Sequence, residues 1–184
     1  MNTIATLVSL LLGMCMIPQD NDASKRSLQV VPSVDLKRYM GTWYEIARLP
    51  NPFQKKCISD VTAFYTILED GTIRVVNRCR TETGEFIESE GKARRKSDDE
   101  PNSKLEVRFA PAFLSFLPMV WGKYWVIDLA PDYSYAVVGE PNREYLWILS
   151  RTQAMTQETY DAIALKLRER GYDPAGLVRT PQGE

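Results

Sequence analysis

The sequence predicts an all-β fold: an eight-stranded antiparallel up-and-down barrel with one C-terminal α-helix packed on the outside. Three observations carry that expectation. From Trp43 onward apolar and polar residues alternate with period two, the period of a half-buried strand. Turn-forming residues break the alternation about every ten positions, as they do in sandwiches and barrels. One window beyond residue 155 then changes to helical spacing.

Residues 43–49 form the first predicted strand. In the clearest hairpin, Val61, Ala63, Tyr65 and Ile67 alternate with Asp60, Thr62, Phe64 and Thr66. Glu69-Asp70-Gly71 turns the chain, and Ile73, Val75 and Asn77 then alternate with Arg74, Val76 and Arg78. In 87–94, Ile87, Ser89, Gly91 and Ala93 make a small or apolar face against Glu88, Glu90, Lys92 and Arg94. Leu105, Val107 and Phe109 do the same against Lys104, Glu106 and Arg108. Segments 124–129, 135–138 and 145–150 bring the count to eight, the number at which a closed barrel is just wide enough for one small ligand. The helix starts at Thr156, a good N-cap, carries Tyr160, Ile163, Ala164 and Leu167 on one face, and stops before Gly171. That stripe needs an apolar partner, and the outer wall of the barrel supplies it.

The chain has 184 residues, with 23 Lys+Arg against 24 Asp+Glu and no histidine. Without histidine there is no Ser-His-Asp or Cys-His dyad and no imidazole metal ligand or proton shuttle; no metal site is expected. A formal net charge of −1 with interleaved signs gives no electrostatic footprint for nucleic acid. One domain is expected over residues 34–178, with a tail at 179–184, because about 150 residues suffice to bury a core.

Residues 4–17 are almost uninterrupted apolar (IATLVSLLLGMCMI). As a helix they rise about 21 Å, too short for a hydrocarbon core of about 30 Å, but the length suits the apolar stretch of a signal peptide. Residues 1–15 are therefore assigned to a signal peptide and 16–33 to a linker. Leu12-Gly13-Met14-Cys15 resembles a bacterial lipobox, in which Cys15 is lipidated and begins the mature protein. Lipid anchoring at Cys15, secretion without lipid, and an uncleaved apolar segment are the three open readings.

The body of the chain resembles a lipocalin. Gly41-Thr42-Trp43-Tyr44 at the head of the first strand is similar to the family's first signature, Asp132-Tyr133 near the end of the sixth strand to its second, and Arg151 after the last strand to its third. The stretches KRYMGTWYEIARLPNPFQ and REYLWILSRT look most like the bacterial outer-membrane lipocalins and their relative apolipoprotein D. Ala130-Pro131 before Asp132 departs from the second signature, which usually has Thr there. The resemblance implies structural roles for Gly41, Trp43, Asp132, Tyr133 and Arg151, the indole plugging the closed end with the guanidinium across its face. It also implies a protein without cofactor or enzymatic activity. Such a protein binds, stores or transports small hydrophobic ligands, fatty acids or lysophospholipids, in the bacterial envelope. The expected location is that of an outer-membrane lipoprotein facing the periplasm, with a secreted or periplasmic protein as the alternative. An enzyme on the same scaffold, or an interaction module, are the competing functions.

Extending strand parity gives an inward, ligand-lining set of Ala47, Val61, Ala63, Tyr65, Val75, Asn77, Ser89, Ala93, Val107, Phe109, Tyr124, Val126, Trp147 and Leu149. Small residues on one wall facing aromatics on the other suit a flexible acyl chain. Asn77, Tyr65, Tyr124 and Glu45 are headgroup candidates, with Arg48 near the mouth as a cationic one. The connections after strands one, three, five and seven lie at the mouth, so the apolar segment 110–121 sits at the rim. There Phe113, Phe116, Leu117 and Trp121 are expected to meet a membrane surface, pair two copies into a homodimer, or fold over the mouth as a lid. Cys57 and Cys79 fall at the open end of adjacent strands on the inward face, the conditions for a disulfide, provided the second strand starts with a bulge. Export to an oxidising compartment fits that bond.

Overall fold

The computed structural model describes residues 26–183. The signal-peptide assignment of 1–15 and lipidation at Cys15 lie outside the described residues. Eight antiparallel strands form the barrel: β1 (Gly41–Arg48), β2 (Ser59–Ile67), β3 (Ile73–Arg80), β4 (Phe86–Arg95), β5 (Lys104–Arg108), β6 (Gly122–Leu129), β7 (Tyr135–Gly139) and β8 (Leu146–Ser150). Neighbours in sequence pair in order, and β1 pairs with both β2 and β8, which closes the ring. A one-turn helix α1 (Leu36–Tyr39) precedes the barrel, and α2 (Gln157–Glu169) and a short β9 (Val178–Arg179) follow it.

Alternation sorts the apolar residues into two cores. The first fills the lower barrel with Trp43, Tyr65, Val75, Ala93, Leu105, Val126, Val138 and Leu149. The second lies outside, where Ile163 and Leu167 of α2 press Tyr172 and the helix face onto Ile46, Ile127, Val137, Leu146 and Ile148. The helix begins where expected, with the Thr156 hydroxyl accepting from Thr159 N, and Gly171 takes a left-handed φ of 80° just beyond its end. Gly139 is required beneath it, because a Cβ there would stand 2.3 Å from the Tyr172 hydroxyl.

One inward assignment is overturned by a bulge. The β1–β8 register slips between Glu45 and Ala47, so Glu45 opposes Leu149 while Ala47 opposes Ile148. The extra residue reverses parity, and Ala47 joins the core under α2 instead of the cup. Phe109 lies just beyond β5, which ends at Arg108. Chain expected to be linker or tail is also engaged. Leu28 is buried under α2, Val31 N donates to Val126 O at 3.0 Å, and Ser103 Oγ donates to Val31 O at 2.6 Å.

The tail has a larger role. The β1–β2 ladder runs only from Gly41–Tyr65 to Tyr44–Thr62, after which the two strands part toward the mouth. Segment 178–183 fills the seam: Thr180 N donates to Ile46 O at 3.0 Å and Asp60 N to Pro181 O at 2.9 Å. Gln182 Nε2 bridges Glu45 O at 2.7 Å and Val61 O at 2.8 Å.

Candidate ligand cup and its rim

The closed end is built from backbone carbonyls and one guanidinium. Asp35 caps α1, accepting from Lys37 N and Arg38 N, and the turn carries Tyr39 under the barrel, where Trp43 Nε1 donates to its carbonyl at 2.8 Å. Arg151 lies 3.8 Å over the indole, with Nη1 donating to Thr42 O at 2.8 Å and Nη2 to Arg38 O at 2.6 Å. Burial lowers the pKa of this guanidinium, but it stays charged, and its planar fork serves both carbonyls while its face covers the indole. Gly41 has φ 91° with Arg151 Nη1 3.6 Å from where a Cβ would sit. Tyr133, at φ 66°, accepts from Asp35 N through its hydroxyl at 2.8 Å and lies 4.0 Å under Arg38. Hydrogen bonds from Ser134 hold the Asp132 carboxyl below the usual carboxylate range. All five signature residues therefore gather at the closed end, away from the mouth.

Above Trp43 the predicted inward residues Ala63, Tyr65, Val75, Ala93, Val107, Tyr124, Val126, Trp147 and Leu149 line or support the interior, and Val61 is buried beside them. A small apolar cavity remains at the base, between Ile73, Val75, Ala93, Leu105, Val107 and three tyrosines. The Tyr124 hydroxyl sits 2.9 Å from that of Tyr39 and 3.0 Å from that of Tyr65. Burial pushes the Tyr65 phenol up to about 12 and raises Tyr39 and Tyr124 as well. All three stay protonated at neutral pH. Three O–H donors share two hydrogen bonds, so one proton has no acceptor among the described residues. Higher up, Asn77 faces Ser89 across β3 and β4. Ser89 is exposed and Asn77 half-buried, and among the described residues the Asn77 amide takes no hydrogen-bond partner.

The opposite upper wall is polar but fully paired. Glu45 is 2% exposed and accepts from Arg48 Nη1 at 2.7 Å and Gln54 Nε2 at 2.6 Å. Arg48 also donates to Thr180 Oγ1 at 3.1 Å and to Cys57 O at 3.3 Å, and Trp147 Nε1 donates to Gln54 Oε1 at 2.8 Å. Arg48 and Glu45 are thus committed to each other, which corrects the expectation of a free cation at the mouth. Sequence pattern had no means of finding Gln54 or Thr180, partners nine and 135 residues from Glu45.

At the rim, the connection between β5 and β6 holds two 3-10 turns, Ala112–Leu114 and Pro118–Val120. Phe113, Phe116 and Met119 are 75%, 76% and 86% exposed, and Leu117 is half-buried. Trp121 departs from expectation: it is only 9% exposed, with Nε1 donating to Ser115 O at 2.8 Å. Its ring lies on the outer wall, 3.8 Å from the Arg94 guanidinium and 5.2 Å from that of Arg108. Two cations over one indole hold it there. Met119, an apolar residue of the same segment, joins Phe113 and Phe116 in the exposed patch. The disulfide forms as expected, Cys57 to Cys79 with Cα atoms 5.5 Å apart, because the β2–β3 register slips between Ser59 and Thr62. It ties the β1–β2 loop to the end of β3.

Comparison with known proteins agrees with this geometry. A model of the Lipocalin-like domain matches residues 34–182. Temperature-induced lipocalin-1 of Arabidopsis thaliana is 46% identical over 163 residues, 87% of this chain and 86% of the relative. Outer membrane lipoprotein Blc of Vibrio cholerae is 37% identical over 178 residues, covering 96% and 95%. Apolipoprotein D of Rattus norvegicus is 34% identical over 162 residues, 83% and 79% of the two chains. Insecticyanin from Manduca sexta superimposes with a TM-score of 0.66 at 20% identity over 86% of each chain, a likeness of fold. Given three signatures at the base of an eight-stranded cup and a family match across nearly the whole barrel, the chain belongs to the lipocalin-like family.

Proposed function

We propose that the protein binds and carries a single-chain lipid, a fatty acid or lysophospholipid, which it exchanges with a membrane surface at its rim. Family membership supports a small hydrophobic ligand. The single observation that carries the finer reading is the form of the cup. It is blind at Trp43, narrow and apolar at its base, free of uncompensated charge on its walls, and open above Asn77 and Ser89. A narrow base suits an acyl chain better than a wide ring system. The surplus tyrosine proton and the Asn77 amide offer neutral hydrogen bonds to ester, hydroxyl or carboxyl oxygens, while a charged headgroup stays near the water. The patch of Phe113, Phe116 and Met119 supports contact with a bilayer from which the chain is drawn. Enclosure needs no chemical step, and the barrel's two cysteines are spent in the disulfide. Residence in a bacterial envelope, anchored through Cys15, belongs to the same proposal and is supported by the likeness to Blc.

Uptake of a fluorescent fatty acid tests the cup. Ser89→Trp places an indole in the open part of the slot, where nothing need be repacked. Excluding two methylenes, each worth about 0.8 kcal/mol, weakens binding about tenfold or more, with the thermal midpoint unchanged. Unaltered binding in a folded Ser89→Trp protein refutes an interior site.

A further inference from the structure

A cleft of about 410 Å³ lies at the root of the rim loop and shares no lining residue with the cavity at the base of the cup. Its walls bring together three cations, Arg74, Lys92 and Arg108, with one carboxylate, Glu90, and the apolar side chains of Leu68 and Phe109. Arg108 is the unusual member. Its residue is 7% exposed, Nη1 donates to Ala110 O at 2.7 Å, and among the described residues its buried Nε has no hydrogen-bond partner. Buried donors in folded proteins are almost always satisfied, and a guanidinium fork with a free N–H matches the oxygens of a phosphate group.

The other two cations are easily recruited. Arg74 lies 2.6 Å from Glu90 and Lys92 lies 2.8 Å from Asp70, but both pairs are solvent-exposed, where such bonds hold weakly and exchange partners at little cost. Arg108 is held at the cleft by its own bond to Ala110 O, and its backbone lies close on β4: a Cβ at Gly91 would stand 2.7 Å from both the Arg108 carbonyl oxygen and the Phe109 ring.

We propose that this cleft binds the phosphate headgroup of an anionic membrane lipid. The assignment to a lipid, not a free phosphate ester, comes from position and rests on the docking reading of the rim. Ala110 and Pro111 of the cleft wall are the first residues of segment 110–121, which contains no charged residue. A bilayer that receives Phe113, Phe116 and Met119 brings its headgroup layer to the root of the loop.

Sedimentation with vesicles tests this on the full chain. Wild-type protein binds phosphatidylcholine vesicles doped with phosphatidate more tightly than vesicles of phosphatidylcholine alone. Arg108→Gln and Lys92→Gln each reduce that gain about fivefold, and Lys92→Gln changes neither binding to neutral vesicles nor uptake of fatty acid. Lys92 is exposed enough that its variant folds even if Arg108→Gln does not. Arg108→Lys, which keeps the charge and loses the fork, also reduces the gain; Arg78→Gln, a cation outside the cleft, leaves it intact. The proposal fails if the cleft variants keep the full gain, or if Arg78→Gln loses as much as they do, which marks a diffuse field. It fails equally if glycerol phosphate in solution saturates the site as tightly as the doped vesicles do. Absence of wild-type binding to neutral vesicles, by contrast, overturns the docking reading of the rim itself.

Discussion

Arg151 and Asp60 do similar work at opposite ends of the seam between β1 and β2. Arg151 closes the base with two carbonyl hydrogen bonds and an indole face. Asp60 closes the mouth, accepting from Gly183 N at 2.7 Å and Arg80 Nε at 2.7 Å from a left-handed φ of 53°. The Gly183 amide above all, with Arg80 in addition, holds its carboxyl below the usual carboxylate range. A carboxyl with a lowered folded pKa stabilises the fold above its unfolded value of about 3.9 and loses that contribution as pH falls through the folded one. Asp60→Asn, which tolerates the same backbone conformation, should therefore lower the thermal midpoint near neutral pH. The gap from wild type should shrink as pH drops below about 4. Melting curves across that range check it, and a gap independent of pH removes the carboxylate from the explanation.

At the scale of elements, the rim loop is defined by what it leaves outside. Two short 3-10 turns present Phe113, Phe116 and Met119 to water while Trp121 is drawn back between Arg94 and Arg108. Exposure of 75% and more means that these side chains do not rest on the cup as a lid. Replacing Phe113 and Phe116 by Ser removes roughly 1.5–3 kcal/mol of transfer free energy for each side chain that inserts. Vesicle affinity should fall by more than about tenfold, with fatty-acid release and thermal stability unchanged, since side chains already in water lose no folded contacts. Stopped-flow release alongside vesicle partitioning decides this; faster release with intact partitioning would reinstate the lid.

For the whole molecule, one barrel serves three surfaces. Its interior is a blind cup, its outer wall under α2 is a second hydrophobic core that holds the shape, and its mouth carries the disulfide and the exposed loop. The proposed envelope residence requires a second signal besides the rim loop, such as acylation at Cys15, because a single shallow insertion is reversible. In a bacterial host, Cys15→Ala should move the mature protein from the membrane fraction to the soluble one while fatty-acid binding persists. Fractionation that leaves the Cys15→Ala protein in the membrane counts against the lipid anchor.

Strands, turns and caps were legible because they are local. Alternation at 60–67 and 73–78, the turn at Glu69-Gly71, and Thr156 with Gly171 around α2 each depend on neighbours within a few residues. The closed end was legible for another reason, since Gly41, Trp43 and Arg151 belong to spaced signatures. Tertiary structure decided the rest. The β1 bulge that turns Ala47 outward depends on its register with β8, a hundred residues on. Apolarity places Trp121 in the exposed loop but does not say which way its ring turns, and the two guanidiniums that hold it lie on β4 and β5. Arg48 is a lone cation in the sequence, and only the fold brings Glu45, Thr180 and the Cys57 carbonyl within its reach. Segment 178–183 has no strand pattern of its own: Val178–Arg179 pairs with β1, and the residues after it fill the seam where the β1–β2 ladder ends. Period and capping act over one turn of chain, whereas register, charge pairing and ring orientation are settled between residues that only the closed barrel brings together.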